Sequence, residues 1–155
     1  HPAPRYFAAR KSTGCVQSLL NATYDLQPTV QTPDYLAASD LLCRRVRKRS
    51  LVILLTNLRD EDDSTLQPAL AQLRQRHLVL VASLRESGLD TILQSPVKDF
   101  DDALGYAAAI EYRRARQVQL ARLRAEGVHV LDTSPPQLPV ALVNQYWAMK
   151  RSGTI

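Results

Sequence analysis

Glycine is scarce in this chain: five residues in 155. None stands in the spacing GxGxxG or GxxxxGK, so neither of the Gly-rich loops that cradle nucleotide phosphates is present. Cysteine is scarcer still. Cys15 and Cys43 are the two. Neither lies in a CxxC or beside a histidine, which removes a thiol-ligated metal and a Cys–His nucleophile from consideration. Each sits in a helix-like stretch. Two free core thiols in a reducing compartment are expected, with a structural disulfide as the alternative. No apolar run exceeds five residues, far below the roughly 20 that a membrane helix needs. No signal-peptide pattern opens the chain. The histidines His1, His77 and His129 are scattered, so no Ser-His-Asp arrangement can be argued from spacing. Ser83 lacks the flanking glycines of a nucleophile elbow.

What is present describes a globular domain. The apolar fraction is 45% and the formal charge is +5. That charge permits an acidic partner without demanding one. A chain of this length supports one domain with a sizeable core. It begins with His1, Pro2 and Pro4 and no capped element, which reads as an internal start: a cleaved product or the later part of a longer protein.

The stretch Leu51-Val52-Ile53-Leu54-Leu55 is the strongest signal. It lies between a basic run and an acid-rich loop, and reads as a strand buried on both faces. Two more strands follow, Leu78–Ser83 and Val128–Leu131. Between them the periodicity predicts a helix with Leu66, Leu70 and Leu73 inward and Pro68 in or near its first turn. A short helix follows at 89–93. A long one starts near Asp99, with Phe100, Ala103, Ala107 and Ile110 as its buried stripe; the pattern is less regular after Glu111. Gly127 is a stop signal. A last helix runs from Pro139 through Lys150, with Leu142, Tyr146 and Met149 inward. Upstream, helices are expected at 13–26 and from Asp34, a good N-cap type, through a basic carboxyl end. Tyr6 to Ala9 reads as a strand stub. Strand–helix alternation of this kind means an α/β fold: an open parallel sheet with flanking helices, Rossmann-like. Ligands of such sheets bind outside the carboxyl ends of the strands.

Few residues carry chemistry. Asp60-Glu61-Asp62-Asp63 gathers four carboxylates past a strand end, but a helix amino terminus attracts acids anyway. The run also lacks the spacing and turn glycine of a calcium loop. Thr56 and Asn57 sit at the strand tip. Asn57 offers only a neutral amide oxygen where a carboxylate would make a cation ligand. Arg44, Arg45, Arg47, Lys48 and Arg49 form the basic run. They suit a helix carboxyl end, and nucleic acid or anionic lipid is the alternative reading of them.

Three stretches together resemble one bacterial family. They are Tyr24-Asp25-Leu26-Gln27-Pro28 through Pro33-Asp34-Tyr35; Arg49 through Asp60 with Arg76-His77-Leu78-Val79-Leu80-Val81; and Gly127-Val128-His129-Val130-Leu131-Asp132 through Leu142-Val143-Asn144-Gln145-Tyr146. This is similar to the later part of the von Willebrand factor A-like proteins of domain-of-unknown-function family fifty-eight, typically encoded beside MoxR-type AAA+ ATPases. The resemblance implies a sheet of order 3-2-1-4-5-6, of which this chain would hold the fourth to sixth strands and a remnant of the third at Tyr6-Phe7. It implies that a metal-ion-dependent adhesion site would need a DxSxS segment, which is absent here. Thr32 would stand at the threonine position and Asn57 where an aspartate is expected. No metal is therefore expected on this chain, and Mg2+ would concern only the intact protein. Membrane segments would lie upstream, so the expected location is cytoplasmic with a tether outside this chain.

The function expected from these readings is a non-enzymatic protein-interaction domain, working with a MoxR-type AAA+ ATPase in protein assembly or maturation. Thr32, Thr56, Asn57, Arg59 and Asp60 form its partner-binding rim. The alternatives are a small α/β hydrolase or transferase using Asp60–Asp63, and nucleic-acid or anionic-lipid binding through 44–49. No nucleic acid is expected by default. Self-association is expected, because the strand Leu51–Thr56 would lack its neighbour.

Overall fold

The computed structural model describes residues 6–7, 14–27, 32–58 and 63–155. The chain divides into two units, His1–Pro33 and Asp34–Ile155.

The first unit contains α1 (Cys15–Thr23). Its turns carry Val16, Leu19 and Leu20, all exposed, and exposed Tyr24 follows. Thr23 Oγ1 bonds back to the Leu19 carbonyl at 2.9 Å, a local side-chain bond to the backbone one turn earlier. Tyr6 and Phe7 carry no strand, and Ala8 and Ala9 lie outside the described residues.

The second unit runs α2 (Tyr35–Arg45), β1 (Leu51–Thr56), α3 (Asp63–Arg74), β2 (Leu78–Leu84), α4 (Ser87–Gln94), α5 (Phe100–Ala125), β3 (His129–Thr133) and α6 (Leu138–Arg151). A 3-10 turn at Pro135–Gln137 precedes α6. Asp34 caps α2 by accepting from the Ala37 N–H at 2.9 Å. Asp99 caps α5 in the same way, accepting from Asp102 at 2.8 Å. Gly127 takes φ +78° after α5, a left-handed conformation in which a Cβ would be strained.

The three strands form a parallel sheet of order β1-β2-β3. Leu51 stands beside Leu78 and Leu54 beside Val81, and Val81 stands beside Val130. Parallel neighbours need crossovers, and here α3 and the α4–α5 pair supply them. Both crossovers step in one direction across the sheet. Leu66, Leu70 and Leu73 of α3 and Leu120 and Leu123 of α5 accordingly meet Val79 and Val81 in one core cluster. Val52, Leu54 and Val130 pack against it from the sheet, as do Tyr35, Leu42 and Cys43 of α2. Burying one leucine of this kind contributes about 1.5–3 kcal/mol.

The opposite face is only partly covered. There α6 packs against β3, and Leu80 and Ala82 of the middle strand are 0% exposed. A helix about 10 Å across spans roughly two strands at ~4.8 Å spacing, so one helix on β3 does not reach β1. Ile53 is 42% and Leu55 54% exposed. The expectation that β1 is buried on both faces is therefore corrected: among the described residues it is an edge strand with one covered face.

Other expectations are corrected as well. The stripe Phe100, Ala103, Ala107 and Ile110 is exposed. The first part of α5 runs beyond the sheet, and burial begins at Ala109 and continues through Arg116, Gln119, Leu120 and Leu123. Pro68 lies inside α3, past its first turn. Of the residues expected inward on α6, Met149 is buried but Tyr146 is 39% exposed. Cys15 and Cys43 are free thiols, as expected, but half-buried rather than in the core.

Candidate functional site at the carboxyl end of the sheet

The strands end together at Thr56, Leu84 and Thr133, and polar side chains gather at that end. Thr56 points into the packed face and is 9% exposed. Its hydroxyl pairs with the Tyr35 hydroxyl at 2.7 Å and accepts the Leu58 N–H at 3.3 Å. Leu58 is a non-glycine residue with φ 42°, a conformation that costs roughly 1–2 kcal/mol. The strain has a visible counterweight. The Leu58 side chain turns back under the strand and is 1% exposed in the core.

Arg116 of α5 ties the strand ends together. One guanidinium nitrogen donates to the Asn57 carbonyl at 2.7 Å. The other meets the Asp132 carboxylate at 2.7 Å. The Arg116 side chain is 8% exposed and the Asp132 side chain 28%. A buried guanidinium is tolerated because both of its bonding ends have acceptors. Asn57 adds a second strand-to-strand link, since its side-chain amide donates to Glu86 at 3.2 Å. Tyr112 donates to the same carboxylate at 3.3 Å. The Arg85 N–H donates to the Thr133 carbonyl at 2.9 Å. The rim is thus a net running from the β1 tip to both neighbouring strand ends, anchored on α5.

Ser83 lies inside this end. It is 0% exposed, and its hydroxyl has no hydrogen-bond partner among the described residues. His77 sits at the opposite end, just before β2, and is 4% exposed. Neither of its ring nitrogens has a partner among the described residues. His129 opens β3, also at the amino end. The serine and these histidines are therefore at different ends of the strands.

Of the residues expected at the rim, Thr56 and Asn57 come together at the β1 tip. Arg59 and Asp60 lie outside the described residues. So do Glu61 and Asp62, while Asp63 begins α3. Thr32 is exposed and belongs to the first unit. The residues that build the net were not expected there: Arg116, Asp132, Glu86, Tyr112 and Tyr35. One signal did exist. The irregularity of the α5 pattern after Glu111 falls where Arg116 and Gln119 take buried positions. An arginine inside an apolar stripe marks a charge that needs a partner.

No group of His, Cys, Asp and Glu side chains able to hold a metal ion occurs among the described residues. No helix among them is long and apolar enough to cross a membrane. Compared with protein-family models, with curated proteins and with solved structures, the chain matches none.

Proposed function

We propose that this chain is a protein-interaction domain that presents the carboxyl-end rim of its sheet to a protein partner. The observation that carries this reading is the Arg116 net. It joins the β1 tip to the ends of β2 and β3 through side chains bonded to one another. A rim held in this way is pre-organised, so a docking partner has less side-chain freedom to freeze out on binding. Asn57 and Asp132 remain half-exposed and Glu86 exposed, within reach of a partner. A serine-hydrolase reading centred on Ser83 finds less support. Ser83 is sealed off, with His77 and His129 at the far ends of the strands. Metal binding at the tip is also disfavoured, because the fixed Arg116 guanidinium already occupies the Asn57 carbonyl and repels a cation there.

The sequence resemblance to the von Willebrand factor A-like family supplies the partner class, a MoxR-type AAA+ ATPase. The sequential strand order β1-β2-β3 is compatible with the last three strands of that family's sheet. Biolayer interferometry between this chain and a MoxR-type AAA+ ATPase tests the proposal. Binding weakened tenfold or more by Glu86→Ala and by Asn57→Ala, with both variants folded, is expected. Binding that neither substitution alters would place the interface elsewhere.

A further inference from the structure

We propose that the groove between α2 and α3, at the amino end of the sheet, binds the phosphate backbone of a nucleic acid. The groove has a volume of about 760 Å3. Three guanidinium side chains line it: Arg44 from α2, Arg47 from the following segment and Arg76 from beyond α3. All three are exposed, and none has an ion-pair partner among the described residues. The one carboxylate in the lining, Asp40, accepts a hydrogen bond from Gln72 at 2.5 Å. Gln72 is held in turn by the buried Ser39 hydroxyl at 2.7 Å. The groove therefore carries an excess of positive charge over a fixed polar floor.

The helix dipole does not account for this cluster. Cations at a helix carboxyl end offset its partial negative charge, but the effect fades beyond the last turn. Arg44 is in the last turn of α2. Arg47 and Arg76 each lie two residues past the end of their helix. Their convergence on one concavity needs another reason, and the fork of a guanidinium matches the oxygens of a phosphate.

The surroundings favour an extended polyanion over a single phosphate. Seven of the chain's 20 lysines and arginines fall in the short segments 44–49 and 74–76 that flank the groove. Positive charge thus continues past the groove on both segments. Apart from Cys43 the lining is polar or charged, so it offers little to enter a bilayer. No aromatic side chain lines it, so the recognition is of backbone charge, without stacking on bases. This site is at the opposite end of the strands from the rim and does not depend on the protein-interaction reading.

Fluorescence anisotropy with a labelled 20-base-pair duplex of mixed sequence, over a range of salt, tests the proposal. Three phosphate contacts predict a slope of log affinity against log salt of about −2.7. Arg47→Ala and Arg76→Ala should each flatten that slope by about one unit and weaken binding severalfold. Arg113→Ala and Arg114→Ala remove the same charge from exposed positions of α5 and should leave the slope unchanged. In a Cys15→Ser background, the duplex should also slow alkylation of Cys43 in the groove wall. Four results would overturn the proposal: no duplex binding; equal losses from the α5 variants; equal competition by polyglutamate of matched charge; or binding to phosphatidylserine vesicles but not to the duplex.

Discussion

The two faces of β1 are written in the same residue types and meet different environments. Val52 and Leu54 pack against the core formed with α3 and α5. Ile53 and Leu55, pointing the other way, are 42% and 54% exposed. Continuous apolar sequence records which faces of a strand tolerate burial. It does not record whether a helix is wide enough, or well enough placed, to reach them. On β2 the same alternation ends differently: Leu80, the register partner of Ile53, is 0% exposed.

Matched truncations offer the most direct way to break this comparison. Leu80→Ala should cost about 2–5 kcal/mol in urea unfolding, the range for a leucine removed from a packed site. Leu55→Ala, on the same face one strand away, should stay within about 0.5 kcal/mol. Equal losses would mean that something covers β1 in solution.

The packed face can be probed at its rim. Arg116→Met keeps most of the side-chain volume but strands the Asp132 carboxylate and the Asn57 carbonyl. Removing one partner of a buried pair is destabilising. Because Asp132 is 28% exposed, water can take up part of the loss, and about 2 kcal/mol is expected. A smaller loss than that of Leu55→Ala would remove Arg116 from the structural account.

At the other end of the same face, the expected sign reverses. His77 is buried without hydrogen-bond partners among the described residues. An unsatisfied buried polar group costs stability, so His77→Leu should raise it by about 1 kcal/mol. A loss in a thermal or urea melt would reveal a partner for the imidazole.

The smallest effect on stability should accompany a visible effect on assembly. Among the described residues no strand pairs with the outer edge of β1, so its amides and carbonyls, beside exposed Ile53 and Leu55, offer a seam for another strand. We expect the protein to self-associate through it. The double change Ile53→Ser, Leu55→Ser should shift the light-scattering mass toward the monomer with little change in the melt. An unchanged mass would place the association elsewhere.

Much of this architecture is legible in the residues alone. Leu51–Thr56 was bounded correctly because a basic run and a polar loop flank it. The Asp34 cap announced its helix through residue type alone. Leu66, Leu70 and Leu73 kept helical spacing and proved to be core. The rim was less legible. Its links are long-range, such as Arg116 to Asn57 and Tyr35 to Thr56, and no local pattern encodes them. The stripe assigned to the start of α5 failed for a related reason. Periodicity shows that a helix has an apolar side, whereas the extent of the sheet decides how much of that side finds a neighbour.

Helix α5 holds 26 residues, about 39 Å at 1.5 Å per residue, whereas the five residues of β3 span about 17 Å. From Ala109 onward it is a core element. Before that it is an arm, packed with α4 and carrying Phe100 at 79% and Leu104 at 60% exposure. One continuous helix therefore belongs to two stability classes. Its carboxyl half can open only with the whole domain, while its amino half can fray with α4 at far lower cost. In deuterium exchange the boundary would fall inside the helix near Ala109, with the amides of the arm exchanging long before those beside Leu120 and Leu123.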